Sequence, residues 1–284
     1  MPSRSPMLWI VATPIGNLGD LSARALEVLG RAEVVLAEDT RRTGMLFARL
    51  GLPSPKFLSF YEHNEEARTT QVLALLAEGK EVALVSDAGT PLMADPGYRL
   101  VRACREQGLP VSPVPGPSAV LAALSASGLP PYPFVFLGFP PRKASERREL
   151  FRPYATLAAT LVFFERGSRV AQTMAEAREI LGDRDCCLAR ELTKLHEEFI
   201  LTSFDGWLAA PRELQGEATV VVGPPRPLAD GQSARTPDET VDRLLAAART
   251  QGCKPREAAK QVQAAVTGWT AKELYDRVHR HTAG

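Results

Sequence analysis

Hydrophobic and polar positions follow two alternating periods along the first 225 residues. Short apolar runs predict strands at LWIVAT, EVVLAE, KFLSFY, EVALVS and PVSPVP. Amphipathic helices are predicted between most of these runs. From Glu65 to Gly79, for example, Val72, Leu75 and Leu76 repeat at helical spacing and Gly79 closes the helix. This alternation of strand and helix predicts an α/β domain with a largely parallel sheet.

A second series of apolar runs follows the segment GPSAVLAALSASGLP. It predicts strands at FVFLGF, TLVFFE, DCCLARE, EEFILTSF and EATVVVG, with fewer helices between them. A second, mixed sheet is therefore expected. The boundary falls around Pro115 to Leu129, which predicts an N-terminal α/β domain over 1–120 and a C-terminal α/β domain over 121–225.

The end of the chain predicts a third, helical piece. The Pro/Gly/Ser-rich residues 226–235 predict a linker, and residues 236–284 predict a small bundle of short helices. Thr236 to Glu239, with Pro237 between them, and Thr270 to Glu273 have the pattern of capping boxes. One apolar helix stripe is predicted at Ala258, Ala259, Val262, Ala265 and Val266. From Arg226 onward there are ten Lys and Arg against seven Asp and Glu, which fits either a nucleic-acid partner or a solvated face.

Composition excludes few functions. The net charge is only +1, so any nucleic acid must be met by local basic patches. The first apolar run, MLWIVA, is too short to span a membrane and no signal cleavage site follows it, which predicts a cytoplasmic protein without membrane contact. The four cysteines show no metal-ligand spacing, so reduced thiols and no metal site are expected.

Four strand ends are rich in glycine and turn residues. In ATPIGNLGD, Gly16 and Gly19 permit a tight turn and Asp20 is a candidate helix cap, but neither nucleotide-binding glycine motif is present. In AEDTRR, Asp39 or Thr40 could cap a helix, and Arg41 and Arg42 could meet a phosphate backbone. The loops SDAGTPLMADPG and PVPGPSAV lack a positive cluster. They favour a flat ligand that is not strongly anionic, or they are simply tight turns.

The segments VATPIGNLGDLSARAL, AEDTRRTGMLFARLG, LVSDAGTPLMADPGYRLV, PVPGPSAVLAALSASGLP, FLGFPPRK and RELTKLHEEF together resemble the ribosomal small subunit methyltransferase I family of the tetrapyrrole methylase superfamily. The resemblance covers essentially the whole chain in order. It implies two α/β domains with the cofactor cleft between them, plus the helical piece. It also implies a homodimer that transfers a methyl group from S-adenosylmethionine to the ribose 2′-oxygen of a cytidine in the decoding centre of 16S rRNA, on the 30S subunit.

The resemblance also implies positions for the cofactor site. The first walls would come from Pro14, Ile15, Gly16, Asp87, Gly89, Thr90, Ser118 and Ala119. Two strand ends of the second domain would close the other side, with Phe163, Phe164, Ala218 and Thr219.

Charged residues near the strand ends are candidates for proton transfer and RNA contact. We hypothesise that Glu165 or Glu191 handles the proton of the ribose hydroxyl, and that RNA is held by Arg166, Arg190 and Lys194, together with Arg41, Arg42, Arg142, Lys143, Arg147 and Arg148. Salt bridges across the domain interface are the structural alternative for the charges around Glu165 and Glu191. His196 is expected to be structural or solvated, not a zinc ligand.

Other functions remain open at this point. A methyltransferase acting on a tetrapyrrole or corrin would not need the basic helical tail, and its loop should read more like GGDP than SDAGTP. A non-catalytic ribosome assembly factor could keep the fold without turnover. A protein methylase of the diphthine synthase kind is disfavoured by RELTKLHEE.

Overall fold

The computed structural model describes residues 6–226, 236, 238–250, 253–266 and 268–280. Of these, residues 279 and 280 are described by their backbone alone. Most of the predicted linker and Pro237 lie outside the described residues. Contacts divide the chain into two compact units, Met1–Pro225 and Arg226–Gly284. Both sheets belong to the first unit.

The first sheet is parallel throughout. Its strand order is β3-β2-β4-β1-β5, and the strands are β1 Met7–Val11, β2 Val34–Ala37, β3 Lys56–Ser59, β4 Glu81–Val85 and β5 Val111–Val114. β1 and β4 lie at its centre, and all five residues of β4 are buried. Such continuous apolar strands are typical of a parallel sheet that is covered on both faces.

Helices cover both faces of the first sheet: α1 Ala23–Arg31, α2 Thr40–Leu50, α3 Glu65–Ala77 and α4 Tyr98–Glu106. Helices α1 and α2 pack on one face and α3 and α4 on the other, because successive strand residues point to opposite faces. Ser22, not Asp20, caps α1: its hydroxyl accepts from the Ala25 amide at 3.1 Å, whereas Asp20 lies in the 3₁₀ turn Leu18–Asp20.

The second sheet is mixed. Its order is β6-β7-β10-β8-β9, and its strands are β6 Phe134–Phe136, β7 Thr160–Arg166, β8 Asp185–Arg190, β9 Glu198–Ser203 and β10 Glu217–Val222. Only the pair β6 and β7 is parallel; the other three pairs are antiparallel. The two predicted sheets, with their ten strands, and the α/β class are thus confirmed.

Four helices accompany the second sheet: α5 Ala119–Ala126, α6 Ala144–Phe151, α7 Gly167–Leu181 and α8 Phe204–Ala209. Helices α6 to α8 contribute to the core on one face, and α5 packs on the other face through Val120, Ala123 and Leu124. The predicted boundary after residue 120 therefore lies inside α5. A division just before Ala119 fits this packing better.

The C-terminal unit contains α9 Asp238–Thr250, α10 Pro255–Gln263 and α11 Ala271–Arg280, with a core of its own. The second predicted capping box forms, because the Thr270 amide donates to Glu273 Oε2 at 2.8 Å and the Glu273 amide donates to Thr270 Oγ1 at 3.2 Å. Ala265, which was predicted to belong to the apolar stripe, is exposed. Across the described residues, no helix is both long and apolar enough to cross a membrane.

Candidate functional site

Three loops meet at the carboxyl ends of the neighbouring strands β4, β1 and β5. Thr13 and Gly89 exchange backbone hydrogen bonds of 2.9 and 3.0 Å, which join the first loop to the second. The Thr13 hydroxyl also donates to the Ser86 carbonyl at 3.1 Å. The Thr90 hydroxyl donates to the Pro117 carbonyl at 3.1 Å and joins the second loop to the third. Ligands of open α/β sheets bind at this edge.

Bare backbone lines the meeting point of these loops. Gly89 has a φ of +86°, and a Cβ there would lie 3.3 Å from Ile15 Cγ2. A Cβ on Gly116 would lie 3.0 Å from the Cβ of Ala12. Ser118 caps α5, where its hydroxyl accepts from the Leu121 amide at 3.4 Å. The fold therefore brings together the predicted first-wall residues Pro14, Ile15, Gly16, Asp87, Gly89, Thr90, Ser118 and Ala119.

Asp87 is held by two donors at this edge. Its Oδ1 accepts from the Asp39 amide at 3.2 Å, and its Oδ2 accepts from Arg42 Nη1 at 3.0 Å. Asp39 caps α2 by accepting from the amides of Arg41 and Arg42. Of the two candidate caps in the sequence, Asp39 and Thr40, Asp39 is therefore the cap. Hydrogen bonds from the Arg41 side chain and, to a lesser extent, from its backbone amide lower the pKa of Asp39 below its ordinary value. Arg42 is therefore an ion-pair partner of Asp87 as well as a candidate RNA contact.

Asp95 adds a second acidic feature to the same edge. Burial, and to a lesser extent the neighbouring charges of Glu38 and Asp87, raise the pKa of Asp95 to about 6. With Asp39, this end of the sheet carries four carboxylates, and Arg42 and Arg41 offset only part of that charge. Such a site favours a ligand with positive charge and disfavours a polyphosphate.

The loop that contains Asp95 has an unusual backbone. Leu92 and Ala94 have positive φ angles of 71° and 69°, and Gly97 has a φ of +132°. The carboxylate of Glu65, at the start of α3, accepts from the amides of Gly97 and Arg99 at 3.1 Å each. It thereby caps α4, which has no side-chain cap of its own. No local sequence signal points to this role of Glu65, because the cap is 32 residues away from it.

The loop after β8 approaches the loop after β1. A Cβ on Gly16 would lie 2.6 Å from Lys194 Cγ and 2.7 Å from the Leu192 carbonyl oxygen. Glu191 and Thr193 have positive φ angles of 50° and 64°. Among the described residues, non-glycine residues with positive φ occur only in this loop and in the loop 92–97. Backbone strain of this kind clusters at functional sites.

Strand alternation splits the predicted second wall. The side chains of Phe163 and Ala218 point into the core formed with α6 to α8. Phe164 and Thr219, which are register partners, lie on the opposite face, where Phe164 and Ile15 both pack against the core that includes α5. The assignment of the Phe163 and Ala218 side chains to the cleft is therefore wrong, since adjacent strand residues cannot both face it.

Glu165 does not fit the role of a catalytic base. Its side chain is 2% exposed, and it accepts from the Thr173 hydroxyl at 2.6 Å and from the Arg166 amide at 2.9 Å. Arg169 Nη2 lies 3.3 Å from its Oε2. A carboxylate so buried and bonded has no access to a ribose hydroxyl. Glu165 therefore forms a salt bridge, which was the structural alternative. Its partner Arg169 lies on α7 beside the same sheet, so this bridge does not cross the domain interface.

Glu191 is more accessible. Its Oε1 accepts from Lys194 Nζ at 3.1 Å, and its side chain keeps 28% of its surface exposed. Arg190 donates from Nη1 to Glu198 at 2.9 Å, while its buried Nε has no hydrogen-bond partner. These residues border the strained loop that touches Gly16.

Arg147 is not a surface residue, and its assignment to RNA binding is wrong. It is fully buried, and its guanidinium pairs with Glu176, with Nη2 2.8 Å from Oε1. It also donates to the Pro141 carbonyl at 2.9 Å. This pairing raises the pKa of Arg147 and lowers that of Glu176. Lys143 and Arg148 are accessible but pair with Glu146 and Glu179, whereas Arg142 and Arg166 are exposed.

Comparison with known proteins places the fold in one class. A family model described as "Tetrapyrrole (Corrin/Porphyrin) Methylases" matches residues 7–205. Uroporphyrin-III-C-methyltransferase from Thermus thermophilus superposes with a TM-score of 0.54 at 24% identity, over 77% of this chain and 94% of that one. Diphthine synthase superposes with a TM-score of 0.60 at 15% identity, over 76% and 90%. Identities this low establish the shared fold alone.

Closer relatives match by sequence along nearly the whole chain. "Ribosomal RNA small subunit methyltransferase I" of Micromonospora olivasterospora is 43% identical over 98% of this chain and 88% of its own length. The protein of the same name from Escherichia coli O157:H7 is 40% identical over 94% and 93%. The chain therefore belongs to the ribosomal RNA small subunit methyltransferase I family, within the tetrapyrrole methylases.

The methyl donor of this family is S-adenosylmethionine, as expected from the sequence. The residues present fit that cofactor. Its sulfonium and ammonium groups are cationic, and the edge of the first sheet carries Glu38, Asp39, Asp87 and Asp95. Gly89 and Gly116 expose backbone there, where a side chain would collide with the neighbouring loop.

Proposed function

We propose that this protein methylates the ribose 2′-oxygen of a cytidine in the decoding centre of 16S rRNA, using S-adenosylmethionine and acting on the 30S subunit as a cytoplasmic homodimer. One observation carries the proposal: relatives named for small-subunit rRNA methylation match the chain almost end to end, including the C-terminal helices. The acidic, glycine-lined edge of the first sheet supports it, because that edge suits a cationic methyl donor.

Orientation is the main contribution we assign to the chain. When bound, S-adenosylmethionine supplies an electrophilic methyl group on its sulfonium. The loops around Ile15, Gly89 and Thr90 would hold it through backbone groups, and Asp87 would fix its positive end while Arg42 keeps that carboxylate in place. Thr219, Phe164 and the start of α5 would cover the other side and exclude water. Holding two reactants in line is worth several kcal/mol of barrier (about 7–11 in favourable cases).

Glu191 is the carboxylate that we propose for handling the ribose proton. It lies on the strained loop that touches Gly16, and it is accessible, unlike Glu165. Lys194 Nζ, 3.1 Å from its Oε1, orients it. A base in this position contributes about 10²–10⁴-fold to the rate.

Exposed positive side chains of the first unit are proposed to hold the RNA backbone. Arg41 is 90% exposed at the side chain, and Arg166 and Arg142 are exposed as well. Such contacts position the substrate, and the shape of the subunit selects the nucleotide. The proposed set is Arg41, Arg42, Arg142, Arg166, Arg190 and Lys194. Lys143 and Arg148 are left out, because they pair with Glu146 and Glu179.

The direct test is methyl transfer from labelled S-adenosylmethionine to 30S subunits that lack the modification, with the labelled nucleotide mapped. Naked 16S rRNA and a porphyrinogen are offered in parallel. Label on one cytidine ribose of the 30S subunit is expected. Label on the porphyrinogen, or none on RNA despite cofactor binding, would contradict the proposal.

The cofactor site is tested separately with two glycine variants. Gly16→Ala places a Cβ 2.7 Å from a backbone carbonyl of the facing loop, so it should weaken S-adenosylmethionine binding about tenfold or more, measured by calorimetry. Gly44→Ala is the matched control, because its Cβ meets nothing within 4 Å. Equal affinities of both variants would argue against a site at this edge.

A further inference from the structure

A groove runs between α10 and α11 of the C-terminal unit and encloses about 620 Å³. Its lining includes the small residues Ala259 and Ala271. Arg256 and Lys260 line one side at i and i+4, and Lys272 and Tyr275 line the other side at i and i+3. Residues at these spacings share a helix face, so the cations are directed along one channel.

The cations of this groove have no acidic partners. Among the described residues, Arg256, Lys260 and Lys272 form no ion pair, and all three are exposed. Two nearby acids serve instead as helix caps: Glu257 accepts from the Lys254 amide at 3.1 Å, and Glu273 accepts from Thr270.

One cation of the unit outside the groove is paired with acids. Arg277 lies 2.7 Å from Asp238 and also pairs with Asp242, through a second contact of 2.5 Å. Three cations that have no ion-pair partner among the described residues thus share one concave channel. A channel of this kind attracts a polyanion.

We propose that this groove, which we call the α10–α11 groove, binds the phosphate backbone of RNA. The inference rests on the proposed function, which makes RNA the substrate, and adds a second contact surface outside the cofactor edge. Three unpaired cations would neutralise phosphates, and the Tyr275 ring, 39% exposed beside them, would stack on an unpaired base. Contacts of this type hold an RNA without reading its sequence.

The test uses the full chain with Arg256→Gln, Lys260→Gln and Lys272→Gln combined, since glutamine keeps helix propensity while removing charge. Binding to in vitro transcribed 16S rRNA is measured over a range of salt concentrations. We expect the dissociation constant at low salt to rise about tenfold or more. The slope of log affinity against log salt concentration should become shallower by about 2, because each lost phosphate contact to a single strand contributes about 0.7.

Two control variants separate local from general effects. The combination Lys80→Gln, Arg102→Gln and Arg178→Gln removes the same charge from exposed residues that are paired with acids, and should bind like wild type within about twofold. Arg256→Lys, Lys260→Arg and Lys272→Arg together keep the charge and should retain affinity. Circular dichroism establishes that each variant is folded.

The outcomes distinguish this inference from the proposed function. An unchanged affinity and salt slope in the groove variant would overturn the inference, as would an equal loss in the first control. Loss of binding to 30S subunits with naked RNA binding intact would also overturn it, since the groove would then contact a ribosomal protein. A wild-type chain that binds RNA through the groove but methylates none would contradict the proposed function alone.

Discussion

The segment Arg142–Arg152 and the α10–α11 groove are both basic, but they use their charge differently. The segment has five basic residues and two acidic ones. Four of the five are in ion pairs, with Glu146, Glu176, Glu179 and Glu149. The three cations of the groove have no such partner among the described residues. The two regions resemble each other in composition and differ in how much charge is left for a partner.

Local net charge is therefore a poor guide to an RNA-binding surface. Two of the pairs in the segment reach acids on α7, which begins 15 residues after the segment ends. Those acids do not enter a count over a short window. The relevant quantity is the number of cations that remain accessible and unpaired in the folded chain. We expect accessible, unpaired cations to bind RNA more strongly than a basic run whose charges are paired.

The largest expected effect comes from the buried pair of the segment. Arg147→Ala should lower the free energy of unfolding by about 3–5 kcal/mol, because it leaves Glu176 buried without its partner. Urea denaturation measures this change. Arg148→Ala, which breaks an exposed pair nearby, should cost less than about 1 kcal/mol. If both variants unfold alike while Arg147→Ala loses RNA affinity, Arg147 is a substrate contact after all.

The same difference between a buried, bonded charge and an accessible one applies to the acids Glu165 and Glu191. Glu165→Gln should lower unfolding free energy by about 1–3 kcal/mol, because it disturbs bonds to Thr173 and Arg169. Its turnover at saturating substrate should remain near that of wild type. Glu191→Gln should instead leave stability within about 0.5 kcal/mol and reduce turnover at least about 10²-fold. The reverse pattern would restore Glu165 as the base.

The smallest effect concerns Asp95 and pH. Its folded pKa, about 6, is above the ordinary value of 3.8, so the folded state binds more protons than the unfolded state between these two pH values. This contribution to stability is present at low pH and is lost as pH rises from about 4 through 6. Asp95→Asn should remove that part of the pH dependence, measured by urea denaturation at pH 4.5 and 7.5. Asp20→Asn, at an exposed site, should retain it.

Much of the fold could be predicted from the sequence because it depends on local periodicity. Apolar runs predicted both sheets, and the capping box at Thr270 and Glu273 forms as expected. The division after residue 120 was less accurate, because α5 follows the last strand of the first sheet but packs on the second. Which sheet a helix joins is decided by tertiary packing, which a helical period does not contain.

Within the site, the sequence predicted the loops better than the side chains. Gly16, Gly89 and Ser118 do come together at one edge. The prediction for Phe163 and Ala218 is wrong because each strand end includes residues of both faces, and only one face of the sheet borders the site. The role of Glu65 as a distant helix cap and the burial of Arg147 rest on long-range contacts that leave no local pattern.

The most direct measurement is ultraviolet cross-linking of the full chain to 16S rRNA, with the cross-linked peptides identified by mass spectrometry. We expect cross-links in α10 and α11, at Lys260, Lys272 or Tyr275, and few within Lys143–Arg152. Cross-links concentrated in Lys143–Arg152, with α10 and α11 unlabelled, would contradict the claim that unpaired cations mark the RNA-binding surface.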